Sequence, residues 1–404
     1  MRRGRRMGAF VCAGGVALAA CGGAGVATAD PPRVSALSAT LSRTPSPSPT
    51  PTPTPTPTTS LGEGEGLLAV LSYHGYTEWG GNDPKVNWVA PFERETGCKV
   101  TTLDHVRTAE ELHKAYDAAS YDVVAAGPEA AGRLIAEGKV GPVNTALLPD
   151  YHDIPKRLRT LPAYNRGGKV YGVPYLWEAT QLVYNAEGER PRGVDALFKS
   201  GAAAIEDDPL SIAVAALALR RTEPDLGVDD PFQLTPAQLD RALALLADRA
   251  DKGRTYWTDP LDVVSGFADG SISFAQTSPY VVSLLRRAGR PVRAASADPG
   301  PGRADAWMLA AEPQHPSCAY QWLRWTSAPR AQRDAAAWNG LAPANPGACT
   351  GRAGRVCAAL HVGDEKWLDK VAFAARPSAD CGRGGPAKCT DYAEWQKRWQ
   401  ELVD

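Results

Sequence analysis

The residues whose type and spacing could do chemistry are, first, the cysteines. The chain has 404 residues and 8 Cys. Cys21 ends the run Leu18-Ala19-Ala20-Cys21. Small residues before a cysteine fit a signal-peptidase groove, and the thiol is then an acyl acceptor, so the run reads as a bacterial lipobox. Cys12 lies inside the apolar stretch ahead of it and is removed with it. Six cysteines remain: Cys98, Cys318, Cys349, Cys357, Cys381 and Cys389. An even set in an exported chain points to disulfides. Cys349/Cys357 and Cys381/Cys389 are close enough in sequence to close short loops, and Cys98 with Cys318 would then be the long-range pair. Six cysteines allow fifteen pairings, so the assignment stays open. No CxxC or paired-His spacing appears, and no metal is expected.

Other chemistry is scarce. There is no GxxxxGK[ST] phosphate loop, no GxSxG nucleophile elbow and no HExxH zinc motif. Gly62-x-Gly64-x-Gly66 precedes a strand, the wrong context for dinucleotide binding. The six histidines are scattered. No catalytic residue and no cofactor is expected. A secreted cell-surface hydrolase with a carboxylate pair distant in sequence is the competing class, since many glycosidase sites leave no short motif. Lys and Arg number 44 against 45 Asp and Glu, interspersed, which argues against nucleic acid as partner.

The elements that must position a site begin after the leader. Residues 1–20 carry Arg2, Arg3, Arg5 and Arg6 and then an apolar run, too short to span a bilayer stably. Thr44 to Thr59 is Pro alternating with Thr or Ser, an extended polyproline stalk of roughly 50 Å at ~3.1 Å per residue. The body exceeds what one core usually holds, so two lobes are expected. Leu67–Leu71, Cys98–Thr101 and Asp122–Ala126 read as strands. Helices are expected around Val86–Phe92, over Ala109–Ala118 behind a Thr108/Glu111 capping box, and between Pro128 and Gly138. Strand alternating with helix makes a parallel α/β lobe. Residues 171–175 and 181–185 are again extended. Asp208-Pro209, Thr235-Pro236, Asp259-Pro260 and Ser278-Pro279 each pair a capping side chain with a proline at a helix start. Tyr392, Trp395, Trp399 and Leu402 form the apolar stripe of a docked terminal helix.

Three segments carry a resemblance: Phe92–Val100, Tyr121–Val124 and Tyr171–Trp177. In order and spacing they resemble the spermidine/putrescine-binding proteins of ABC importers, within the larger extracellular solute-binding family. His315–Tyr320 and Cys389–Trp395 resemble an actinobacterial branch of it. The resemblance implies a type II periplasmic-binding-protein-like α/β fold: two lobes, crossing hinge strands and a ligand cleft between the lobes. It places a first crossover at Gln181–Asn185 and a return near Arg303. Family members carry Trp-x-x-Tyr after the first strand; here it reads Tyr73-His74-Gly75-Tyr76, two aromatics able to face an alkyl chain or a cation. After the third strand the family supplies a hydroxyl and a tyrosine, where this chain has Ala126, Gly127 and Pro128. Asp208 matches the first of two acidic ligand positions, and Ser211 replaces the second; Asp208 is also an ideal N-cap. Glu178 lies on the cleft side of the crossover as an extra carboxylate. Trp257 and Trp307 read equally as pocket walls or core. Asp305 lies near an acidic family position.

The resulting organisation is a signal over 1–20, a lipidated stalk over 21–62, a first lobe over 63–182 with a return over 303–348, a second lobe over 183–302, and a segment 349–404 packing on the second lobe. The expected role is capture of a small solute, a polyamine first among candidates, for import through ABC permease subunits. The protein would be a monomer on the outer face of the cell membrane, held there only by its lipid.

Overall fold

The computed structural model describes residues 61–248, 253–295, 299–381 and 388–404. The leader, Cys21 and all but the last two stalk residues lie outside the described residues.

Two sheets organise the body. The first contains β1 (Leu67–Tyr73), β2 (Lys99–Val106), β3 (Val123–Ala126) and β4 (Val140–Gly141). A two-stranded hairpin, β5 (Asn165–Arg166) and β6 (Lys169–Val170), stands apart. The second sheet holds β8 (Gln181–Asn185), β9 (Ala203–Glu206), β10 (Thr255–Trp257), β11 (Phe274–Thr277) and β12 (Val292–Ala294), in the order β10-β9-β11-β8-β12. The first sheet is completed by β7 (Gly172–Ala179), β13 (Pro301–Ala310), β14 (Ala342–Pro343) and β15 (Ala372–Phe373). Its main path runs β14-β7-β13-β3-β1-β2, with β1, β2 and β3 parallel and β13 antiparallel to β3 and β7. Buried on both faces, β1 and β3 can be the near-continuous apolar runs that the sequence shows.

The chain leaves the first sheet at Thr180. The extended segments expected at 171–175 and 181–185 fall in β7 and β8, and β7 runs on through Ala179. The return is anchored at the same place. Gly300 N–H donates to the Thr180 carbonyl at 2.7 Å, and Thr180 N–H donates to the Pro301 carbonyl at 2.9 Å. A Cβ on Gly300 would lie 2.8 Å from Thr180 Oγ1, so only glycine lets the two crossing segments touch here.

Local signals explain the helix starts. Asp259 and Ser278 accept from the N–H two residues on, and each is followed by proline. Thr235 and Gln238 close a full capping box. At Thr108 the box is only half made: Thr108 Oγ1 accepts from Glu111 N–H, but the Glu111 carboxylate takes the Arg107 N–H instead. No helix among the described residues is long and apolar enough to cross a membrane.

The first lobe's core is built on a file of aromatic rings. Tyr76, Tyr175, Trp307, Trp322 and Phe92 meet edge to face, with successive centroids 5.6, 5.7, 5.3 and 4.9 Å apart. The offset geometry favours such contacts beyond area burial alone. The segment 349–404 divides between the lobes, rather than packing wholly on the second. Val356, Leu360, Trp367, Leu368 and Val371 belong to the first lobe's core. Ala374 packs with Leu210, Ala213 and Phe232 of the second lobe, and the terminal helix Tyr392–Val403 buries Trp395 and Trp399 in its core. Their indole N–H groups donate to Thr390 Oγ1 at 2.9 Å and Asp207 Oδ1 at 2.7 Å. The cysteines pair Cys98–Cys318, Cys349–Cys357 and Cys381–Cys389.

Candidate functional site

A cavity of about 380 Å³ lies between the lobes. Its first-lobe wall comes from the face that β7 and β13 share. Arg303 and Glu178 are register partners across that antiparallel pair, and Asp305 is two residues beyond Arg303, so all three project to one side. Tyr73 arrives from the end of β1, with Tyr76 three residues later. The second-lobe wall comes from the end of β9. Alternation sends Glu206 to the cavity and Asp207 to Trp399, and Asp208 follows at the cap. Ser211, Leu210 and Gln276 complete it. The site therefore lies beyond the carboxyl ends of parallel strands, where open α/β sheets bind ligands.

One guanidinium organises the carboxylates. Arg303 Nη2 meets Glu129 Oε1 at 2.7 Å, and Arg303 Nε meets Asp305 Oδ1 at 3.2 Å. Arg303 Nη1 faces Asp208 Oδ2 across the gap at 4.0 Å. Glu129 sits in the first turn of helix Pro128–Ala136 with its side chain 4% exposed. Tyr76 donates its hydroxyl to the other Asp305 oxygen at 2.6 Å. Gly127 N–H donates to Tyr73 Oη at 3.4 Å.

Burial dominates the electrostatics of the three glutamates alike. Burial pushes the Glu129 carboxyl up, and Arg303 opposes it. Burial works against the charge of Arg303, but Glu129 and Asp305 more than restore it, so the guanidinium stays cationic. Glu178 and Glu206 are half-buried. Burial pushes Glu178 up, against the pull of Arg303 and with the push of Asp305. Burial first, then the charges of Asp208 and Glu178, push Glu206 up to about 8.

That shift has a stability consequence. Glu206 holds its proton more tightly in the folded state than at its ordinary value of 4.5. The contribution is fully present below that value and is lost as pH rises through about 8. Glu206→Gln should match the wild type near pH 5 and exceed it near pH 8, by on the order of 1–2 kcal/mol after solvent screening. Urea denaturation at both pH values measures this; a parallel pH dependence in the two proteins would contradict it.

Of the residues expected from sequence, Tyr73, Tyr76, Glu178, Asp208, Ser211 and Asp305 line the cavity. Trp257 and Trp307 do not. Trp257 is buried and donates to the Gln276 carbonyl at 3.2 Å, and Trp307 is fully buried in the aromatic file. Asp208 does cap its helix, with Oδ1 accepting from Leu210 N–H at 2.7 Å. Sequence patterns did not point to Glu206, Arg303 or Glu129. Glu206 could have been found by strand alternation with Asp207. Arg303 and Glu129 meet across 174 residues, and no local signal announces them.

A two-lobed α/β body with a polar cavity at the strand ends is the architecture of a solute-binding protein. The chain belongs to the bacterial extracellular solute-binding protein family, whose model matches residues 87–353. Among solved structures it is similar to the spermidine/putrescine ABC transporter substrate-binding protein PotD of Streptococcus pneumoniae, at 14% identity and TM-score 0.62, covering 84% of this chain and 99% of that one. The TpPotD lipoprotein of Treponema pallidum matches at 13% identity and TM-score 0.61, covering 83% and 99%. MotA of A. tumefaciens, solved with glucopine, matches at 16% identity and TM-score 0.58, covering 83% and 99%. At these identities the likeness is one of fold.

Proposed function

We propose that this protein captures a small organic ammonium compound outside the cell and delivers it to the permease of an ABC importer. The polyamines are the first class to test. The observation that carries this reading is the Glu178/Glu206 pair. Both carboxyls are raised, each bears on the cavity, and the nearby cation Arg303 is already committed to Glu129 and Asp305. An ammonium placed between them would replace its hydration with charge-assisted hydrogen bonds. Tyr73, Leu176 and Leu210 offer apolar surface for the attached carbons. Among the similar structures, PotD of Streptococcus pneumoniae is a spermidine/putrescine binder and TpPotD a lipoprotein, which supports the polyamine class and a lipid on Cys21, while others are a GABA receptor and a glucopine complex.

The test uses proton linkage. With Glu206 pushed up to about 8, it is mostly protonated at pH 7, and a bound cation favours its ionised form. Amine binding should therefore release up to about one proton at pH 7 and strengthen by up to about tenfold per unit between pH 6 and 8. Calorimetry in buffers of different ionisation enthalpy reads both, and Glu206→Gln should flatten the pH dependence. Absence of any thermal shift with aliphatic mono-, di- and triamines would sink the reading. For the anchor, Cys21→Ser should move the protein from the membrane fraction to the medium; unchanged membrane retention would refute a lipid there.

A further inference from the structure

We infer that Arg303 is a built-in counter-cation that takes the place of one ligand charge, so that the cavity selects a ligand bearing a single ammonium over a diammonium of the same length. This rests on the ammonium-capture reading and, within it, ranks monoamines ahead of the polyamines.

Four carboxylates line the cavity, Glu178, Glu206, Asp208 and Asp305, with Glu129 behind Arg303, and three of these five are spent internally. Glu129 is held by Arg303 at 2.7 Å. Asp305 gives one oxygen to Arg303 and the other to the Tyr76 hydroxyl. Asp208 gives one oxygen to the Leu210 N–H and turns the other toward Arg303 at 4.0 Å. Glu178, which also bonds the Ser278 side chain, and Glu206 are left; both line the cavity, and the charge of Glu178 adds to the cost of ionising Glu206. Two acids that resist ionising together offer a place for one cation. A second ammonium in the same cavity would meet the guanidinium, a like charge in a partly desolvated space.

The backbone is shaped for this occupant. A Cβ at Gly127 would lie 2.5 Å from Arg303 Nη2 and 3.2 Å from Asp305 Oδ1. Any side chain there would displace the guanidinium. Gly127 is the residue just before the helix that carries Glu129, and its backbone there is extended, so the room it leaves for the guanidinium is what calls for glycine.

The experiment compares n-butylamine, 1,4-diaminobutane and 4-aminobutanoate by calorimetry on the full-length protein, then on the Glu129→Gln/Arg303→Met double variant. That variant removes the buried pair together and frees Asp305 and Asp208. The wild type should bind n-butylamine about tenfold more tightly than 1,4-diaminobutane, and the double variant should reverse the order. A diammonium that binds the wild type as well as the monoamine overturns the inference while leaving ammonium capture standing. So does an unchanged order in the double variant. Tightest binding by 4-aminobutanoate, lost in the double variant, would assign Arg303 to a ligand carboxylate and also overturns it. Failure of every amine to bind removes the capture reading and this inference with it. Should the double variant not fold, the wild-type ranking alone decides.

Discussion

Arg303→Met should destabilise the protein by about 3 kcal/mol or more, far beyond the loss of one side chain's packing. Removing one partner of a buried ion pair leaves the other charge uncompensated. Here the stranded group is Glu129, 4% exposed, with Asp305 beside it at 9%. Glu129 would then respond by taking up a proton, so the deficit should be larger at pH 8 than at pH 5. Glu129→Gln/Arg303→Met should recover most of the loss, because an apolar or neutral pair of similar volume is tolerated where half an ion pair is not. Chemical denaturation of the two variants at both pH values checks this. A double variant no more stable than the single one would show that the guanidinium acts by packing rather than by charge.

Serine at both Cys98 and Cys318 should cost about 5 kcal/mol, and serine at both Cys349 and Cys357 about half that. The difference follows from loop length. The first bond joins residues 220 apart and the second residues 8 apart. In the chain-entropy account the stabilisation grows with the logarithm of the closed loop, roughly 5 against 2.5 kcal/mol for these separations. Cys98 and Cys318 are also fully buried, and a Cβ on Gly64 would press on both sulfurs, so the segment ahead of β1 lies directly on the bridge. Urea denaturation of the two double variants measures the ratio. Equal losses would reject the entropic origin.

What could be read from sequence was local. Asp208, Asp259 and Ser278 announce helix starts because the cap and its N–H lie two residues apart. The Trp395/Trp399 stripe announces a docked helix by its spacing alone. The candidate site was half legible. Tyr73, Tyr76, Asp208 and Glu178 were singled out through the family resemblance. The centre of the charge network was not, because Arg303 reaches Glu129 only after β13 has been inserted between β3 and β7. Trp307 and Trp257 could not be assigned to wall or core from composition, since an indole suits both. The division of 349–404 was missed for a related reason: Trp367 and Trp395 have the same chemical preference, and only tertiary structure decides which core receives each.

The threading of the chain between the lobes governs when folding can finish. The first sheet lacks its central strand until Pro301–Ala310 has been synthesised, and the second lobe lacks Trp395 and Trp399 until the final dozen residues emerge. Neither half can therefore complete its native core until most of the other has been made, contrary to the usual domain-by-domain order of synthesis. In a family of extracellular solute-binding proteins, such a threading leaves both cores unfinished until late in synthesis, when an unfolded chain is still the form that export machinery can pass.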